Sequence, residues 1–163
     1  MNFDNKMQTA INKQINAELF SAYLYLSMAA YFETQNLHGM ASWMKKQSNE
    51  EMGHAMKFFA YVNDRGGQVV LDTIAKPESS WKNAHHVFET AYKHEQLVSS
   101  LIYGLTELAE QLKDHATTAM LKWFIDEQVE EENTARTTTE QLALIGDSKG
   151  ALFQLDHILG KRE

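Results

Sequence analysis

RGGQVVLDTIAKPESS, residues 65–80, is the stretch on which the fold turns. The pair Gly66 and Gly67, the β-branched Val69 and Val70, and Pro77, the only proline in 163 residues, all interrupt helical periodicity, so the stretch reads as a connection. Short links join antiparallel neighbours, whereas a link of about 15 residues can run the length of a helix bundle and leave its flanking helices parallel. On both sides the chain is rich in Ala, Leu, Met, Glu, Gln and Lys, which favour helix. The other breaks are brief: residues 36–39, residues 113–118, and residues 146–150 (GDSKG), the last preceding a short apolar tail, ALFQLDHILG. The expected architecture is all-α, a four-helix bundle with one long crossover connection and a short C-terminal fifth helix. One domain is expected over 1–163, with the bundle at about 4–145 and the last helix at about 149–160.

Composition narrows the classes of function. The chain has no cysteine, so neither disulfides nor thiolate metal sites are available. Its start, MNFDNKMQTA, lacks the basic and then apolar pattern of a signal peptide, which points to the cytoplasm. No apolar run approaches the roughly 20 residues needed to cross a bilayer, and no membrane partner is expected. With 22 acidic against 15 basic residues and a formal charge of −7, a nucleic-acid partner is disfavoured and a cationic one suits. Metal ions are such a partner.

Bundle helices carry a core stripe whose members alternate four and three residues apart. The first stripe runs Ile11, Ile15, Glu18, Ala22, Tyr25, Ala29, Phe32, and the second Met40, Met44, Gln47, Glu51, His54, Phe58. The third runs Ala84, Phe88, Ala91, Glu95, Val98, Ile102, Leu105, Ala109, Leu112, and the fourth Thr117, Leu121, Phe124, Gln128, Glu131, Ala135, Thr138, Leu142, Ile145. Each is broken by acid at mid-length. Glu51 and His54, three apart in EEMGHAM, share one face, as do Gln128 and Glu131. One core-facing Glu is ordinarily explained by a lysine partner or a loosely packed end. Four carboxylates, a histidine and an amide spread over all four helices are not, because burying uncompensated carboxylates costs several kcal/mol each and these seams hold no Lys or Arg. Glu-rich ligation with one imidazole and no sulfur suits iron or manganese above copper, and the number of ligands implies a pair of ions.

The segments NAELFSAYLYLSM, QSNEEMGHAMKFF, YKHEQLVSSLI and KWFIDEQVEEE, in that order, with the long crossover and the short last helix, resemble the bacterial-type non-haem ferritins nearly end to end. The resemblance implies that Glu18, Glu51 and His54 hold one iron and that Glu51, Glu95 and Glu131 hold a second, with Glu51 bridging. Gln128 becomes a neighbour of the open site, and Tyr25 a tyrosine that hydrogen-bonds a ligand or supplies an electron. It implies ferroxidase activity: Fe(II) and O2 as substrates, and ferric mineral stored in a shell of twenty-four copies, the last helix lining the four-fold axes. Glu50, Glu127 and Glu130 each precede a stripe residue and so turn about 100° from it. They match a third iron site of bacterial members, against the plainer reading of a solvated acidic stripe.

Several positions depart from related patterns. Haem-carrying relatives bear a second E-x-x-H on the fourth helix, where this chain has Gln128-x-x-Glu131, so no haem is expected. Met52 stands where their haem methionine stands, and packing at a subunit contact is its expected role. Thr118 and Leu121 replace the acids of the three-fold pores of animal ferritins, which favours access through the bundle itself. His38, His85, His86, His94, His115 and His157 are expected at surfaces or interfaces. The main rival function is a non-storage di-iron oxidase or peroxidase of the same fold, which needs a substrate cavity where this chain has Phe58, Phe88, Phe124 and Ile102. A purely structural bundle leaves the polar stripe residues without a purpose.

Overall fold

The computed structural model describes residues 3–163 and contains five helices: α1 (Asn5–Thr34), α2 (His38–Asp64), α3 (Ala84–Gln111), α4 (His115–Ile145) and α5 (Lys149–Leu159). Four of the five starts carry a side-chain cap. Asp4 accepts from Lys6 N at 2.7 Å, Asn83 from His86 N at 2.9 Å, Asp114 from Thr117 N at 3.2 Å and Ser148 from Ala151 N at 3.4 Å. Leu37, at the capping position before α2, makes no side-chain cap; Asp156 of α5 supplies one, accepting from Met40 N at 2.7 Å.

The two tight links pass through left-handed residues, Asn36 (φ 57°) and Lys113 (φ 54°), and reverse the chain within three residues each. The crossover then climbs α1. Asn12 donates to Gln68 O at 3.0 Å, Asn16 to Thr73 O at 3.1 Å, and Ser27 to Glu78 O at 2.5 Å, so the loop and the helix advance together. This climb returns the chain to the end where α2 began. There Phe88 of α3 meets Trp43 of α2 (5.3 Å between ring centroids) and Phe32 of α1 (5.9 Å). Helices α2 and α3 therefore run parallel, as the length of residues 65–80 requires.

Two of the expected breaks fall elsewhere. Residues 38 and 39 belong to α2 and residues 115–118 to α4. Gly39 is glycine because of a close approach: a Cβ there would stand 1.8 Å from the carbonyl oxygen of Asp156. His115 to Thr118 are helical because Asp114 caps them and also pairs with Arg65 at 3.0 Å.

The core comes in two parts. One cluster, at the α5 end, gathers Met28, Phe32, Met40, Met44, Phe88 and Leu142; the other gathers Met7, Ile11, Ile15, Phe58, Ile102, Leu121 and Phe124. Phe58 and Phe124 stack at 4.0 Å with an interplanar angle of 15°. Between the two clusters lies a polar layer contributed by α1 to α4.

Candidate metal centre

The layer is built where each stripe breaks. Glu18, Glu51 and Glu95 are each 1% exposed, and His54, Gln128 and Glu131 are buried beside them. Glu18 of α1 and Glu51 and His54 of α2 offer ligand atoms within 4.8 Å of one another, and so do Glu51, Glu95 of α3 and Glu131 of α4. Glu51 belongs to both groups. The helical spacing of three residues brings His54 Nδ1 to 3.2 Å from Glu51 Oε2.

Amides and one phenol hold the carboxylates. Gln14 donates to Glu18 Oε1 at 2.8 Å, and Gln47 donates to Glu51 Oε1 at 3.1 Å and to Glu131 Oε2 at 2.7 Å. Gln128 reaches Glu95 Oε2 at 3.2 Å as well as the Glu95 carbonyl and Ser99. Tyr25 donates its hydroxyl to Glu95 Oε1. Burial, followed by the charge of Glu95, raises the Tyr25 phenol well above its usual range and keeps it a donor. Gln14 stands outside the four stripes, whereas Gln47 lies within the second. Their signal in the sequence is a repeated Gln-x-x-x-Glu, Gln14 to Glu18 and Gln47 to Glu51, one turn apart on one face.

Among the described residues, no Lys or Arg side chain enters the acidic layer. Burial and then the neighbouring charge of Glu51 push the Glu18 carboxyl up to about 8; burial and then Glu95 and Glu51 push Glu131 up to about 8. Glu51 and Glu95 are raised as well, burial being the larger cause for both. Oε2 of Glu18 is buried with no hydrogen-bond partner. An unsatisfied buried acceptor of this kind costs about 1–3 kcal/mol and favours a cation beside it. Four carboxylates and one imidazole, without sulfur, form a donor set for hard or borderline divalent ions.

The flanking acids are arranged differently from the expected common cluster. Glu127 stands with His54 and Glu131, its Oε1 4.0 Å from His54 Nε2. Glu50 pairs instead with Arg162 at 2.5 Å, and Glu130 is exposed and outside the three groups. The turn of about 100° sends each acid off the layer, but Glu50 and the α4 acids sit on different helices, and the C-terminal tail reaches Glu50 first. His94 also departs from expectation. It is partly buried, with Nε2 2.7 Å from Ser21 Oγ and its ring edge-on to Tyr25, and burial pushes its pKa down to about 4. Leu121 is fully buried in the core, so its position lines no outer pore. Met52 is exposed.

A ferritin-like domain matches residues 8–145. The chain is 45% identical over 157 residues to a bacterial non-heme ferritin of Bacteroides fragilis, covering 96% of this chain and 98% of that one. It is 38% identical over 157 residues to a bacterial non-heme ferritin of Staphylococcus epidermidis, covering 96% and 95%. Its fold superposes with a TM-score of 0.98 on an open pore ferritin from the hyperthermophilic archaeon Archaeoglobus fulgidus, at 48% identity over 99% of this chain and 98% of that one. With the domain match spanning most of its length and these relatives covering nearly all of it, the chain belongs to the ferritin family.

Proposed function

We propose that the protein stores iron, oxidising Fe(II) to Fe(III) with O2 at two adjacent positions that share Glu51. The observation that carries this reading is the pair of three-residue groups meeting at Glu51 within one buried layer. Glu18, Glu51 and His54 take one Fe(II), and Glu51, Glu95 and Glu131 the other. Two Fe(II) give one electron each to a single O2, which with two protons leaves as H2O2. Bringing both electrons to one O2 avoids a one-electron product.

The chain's share in this chemistry is positional and electrostatic. Gln14, Gln47, Gln128 and Tyr25 direct the carboxylates, and such outer partners govern ligand orientation and basicity. Because Glu18 and Glu131 hold protons to about pH 8 without a cation, Fe(II) binding near neutrality displaces protons. Of the three flanking acids, Glu127, which stands with His54 and Glu131, is the one placed for a third iron position. The apolar layers on either side favour a store over an oxidase of organic substrates: Phe58, Phe88, Phe124 and Ile102 are buried where such a substrate would have to lie.

Ferric product would pass to a mineral inside a cytoplasmic shell of twenty-four copies. Exposed Tyr23, Leu26, Met52, Val70, Leu71 and Ile74, together with Leu144 at the end of α4 and Phe153 of α5, supply apolar surface for contacts between copies. Rapid-mixing absorbance with aerobic Fe(II), first at two ions per chain and then at many times that ratio, tests the reading. Fast oxidation followed by continued soluble uptake is expected. Fast oxidation that saturates while added iron precipitates would remove the storage claim, and no acceleration over buffer would remove the ferroxidase claim.

A further inference from the structure

Beyond α5 the chain turns back on itself. Lys161 N and Arg162 N donate to the carbonyls of Ile158 and Leu159 at 3.1 and 3.2 Å. The turn is seated against α2, because a Cβ added at Gly160 would stand 2.9 Å from Gly39 Cα. From this turn the Arg162 guanidinium lies over the Trp43 ring, 4.6 Å from its centroid. It donates through Nη1 to Gln47 Oε1 at 2.9 Å and through Nη2 to Glu50 Oε2 at 2.5 Å.

Gln47 links this tail to the buried layer. Its side chain is fully buried, and its single amide nitrogen serves Glu51 on α2 and Glu131 on α4 together. An amide has one donor end and one acceptor end. Once bound cations have displaced the protons of Glu51 and Glu131, reversing it would aim Oε1 at two carboxylates, three acceptors with no hydrogen among them. A guanidinium has only donors, so its bond to Oε1 selects the orientation in which the nitrogen faces the acids. The planar fork engages Gln47 and Glu50 at once while stacked on Trp43, a geometry that a lysine's point charge does not reproduce.

We propose that Arg162 is a positioning residue of the metal centre, acting through Gln47 to hold the Glu51 and Glu131 carboxylates toward the two cation positions. The role rests on the ferroxidase reading above. It also couples the seating of α5 to the state of the centre, since Arg162 is held only while the turn after α5 lies on α2.

The test is a double-mutant cycle on the full-length protein. Aerobic Fe(II) oxidation is measured against Fe(II) concentration for the wild type, Arg162→Ala, Arg162→Lys, Gln47→Ala and the Arg162→Ala/Gln47→Ala pair. Anaerobic Co(II) titration provides a visible spectrum of the ligand geometry as a second readout. Removal of outer partners to metal ligands commonly costs ten- to a hundredfold, so Gln47→Ala should slow oxidation by about tenfold and Arg162→Ala, one step further out, by about threefold. The double variant should be no slower than Gln47→Ala, because the two residues act in series. Arg162→Lys should recover part of the rate, and the Co(II) bands of Arg162→Ala should shift. Unchanged rate and spectrum in Arg162→Ala, or penalties that multiply in the double variant, would overturn the proposal. A wild type that does not accelerate oxidation would overturn the ferroxidase reading instead, and identical Co(II) spectra for wild type and Arg162→Ala would still decide against Arg162.

Discussion

Glu18 is the residue in which the fold and the proposed chemistry conflict most openly. It lies in the first stripe where an aliphatic side chain would pack, accepts one hydrogen bond from Gln14, and leaves its other oxygen unpartnered. Glu18→Leu should abolish rapid Fe(II) oxidation at two ions per chain and cost the cation-free protein little stability, because a buried carboxyl is replaced by an apolar side chain of similar volume. Stopped-flow absorbance and thermal melts check the two halves; an unimpaired rate would show that Glu18 holds no reacting iron. Tyr25 is a subtler case. Tyr25→Phe keeps the ring and removes only the donor to Glu95, so oxidation should slow by about tenfold with the circular dichroism unchanged. A rate equal to wild type would leave Tyr25 as a core tyrosine with no part in the reaction.

The short fifth helix matters at the scale of elements. It caps α2 through Asp156, and its turn brings Arg162 to Gln47. Gly39→Ala places a Cβ into the Asp156 carbonyl, so α5 must move off α2; overpacking of this kind costs about 1–3 kcal/mol. Limited proteolysis should then release the C-terminal residues before the bundle unfolds, and a variant as resistant as wild type would contradict the contact. The four long helices were legible in the sequence because a stripe of large apolar residues repeats every seven and a proline-bearing link separates its halves. The acids were legible for the same reason, each standing where the stripe calls for Ile or Phe. Helix starts were less so. Gly39 reads as a breaker until α5 is laid beside it, and residues 115–118 read as a link until Asp114 is seen capping them. Arg162 was invisible because it lies 115 residues from Gln47 and belongs to no periodic pattern.

For the whole molecule, the buried acids tie stability to pH and to cations. Glu18 and Glu131 have carboxyls near 8 in the folded protein against an ordinary 4.5, so between those values the folded state binds more protons than the unfolded one and stability falls as pH rises. His94 acts oppositely, its pKa of about 4 against 6.5 removing stability as pH falls through that range. Above pH 6.5 only the carboxylates act. The melting temperature of the cation-free protein should therefore decline from pH 6.5 to about 8 and then level off, and saturating Co(II) should reverse the decline by binding the folded state alone. A melting temperature that rises over that interval would show that the layer is not acidic in the way described. Anomalous X-ray diffraction at the iron edge, from crystals soaked anaerobically in Fe(II), would locate the ions themselves. Two peaks inside the bundle are predicted, one among Glu18, Glu51 and His54 and one among Glu51, Glu95 and Glu131. Peaks confined to the outer acids, with the layer between the two apolar clusters empty of iron, would show that this layer is not where iron is oxidised.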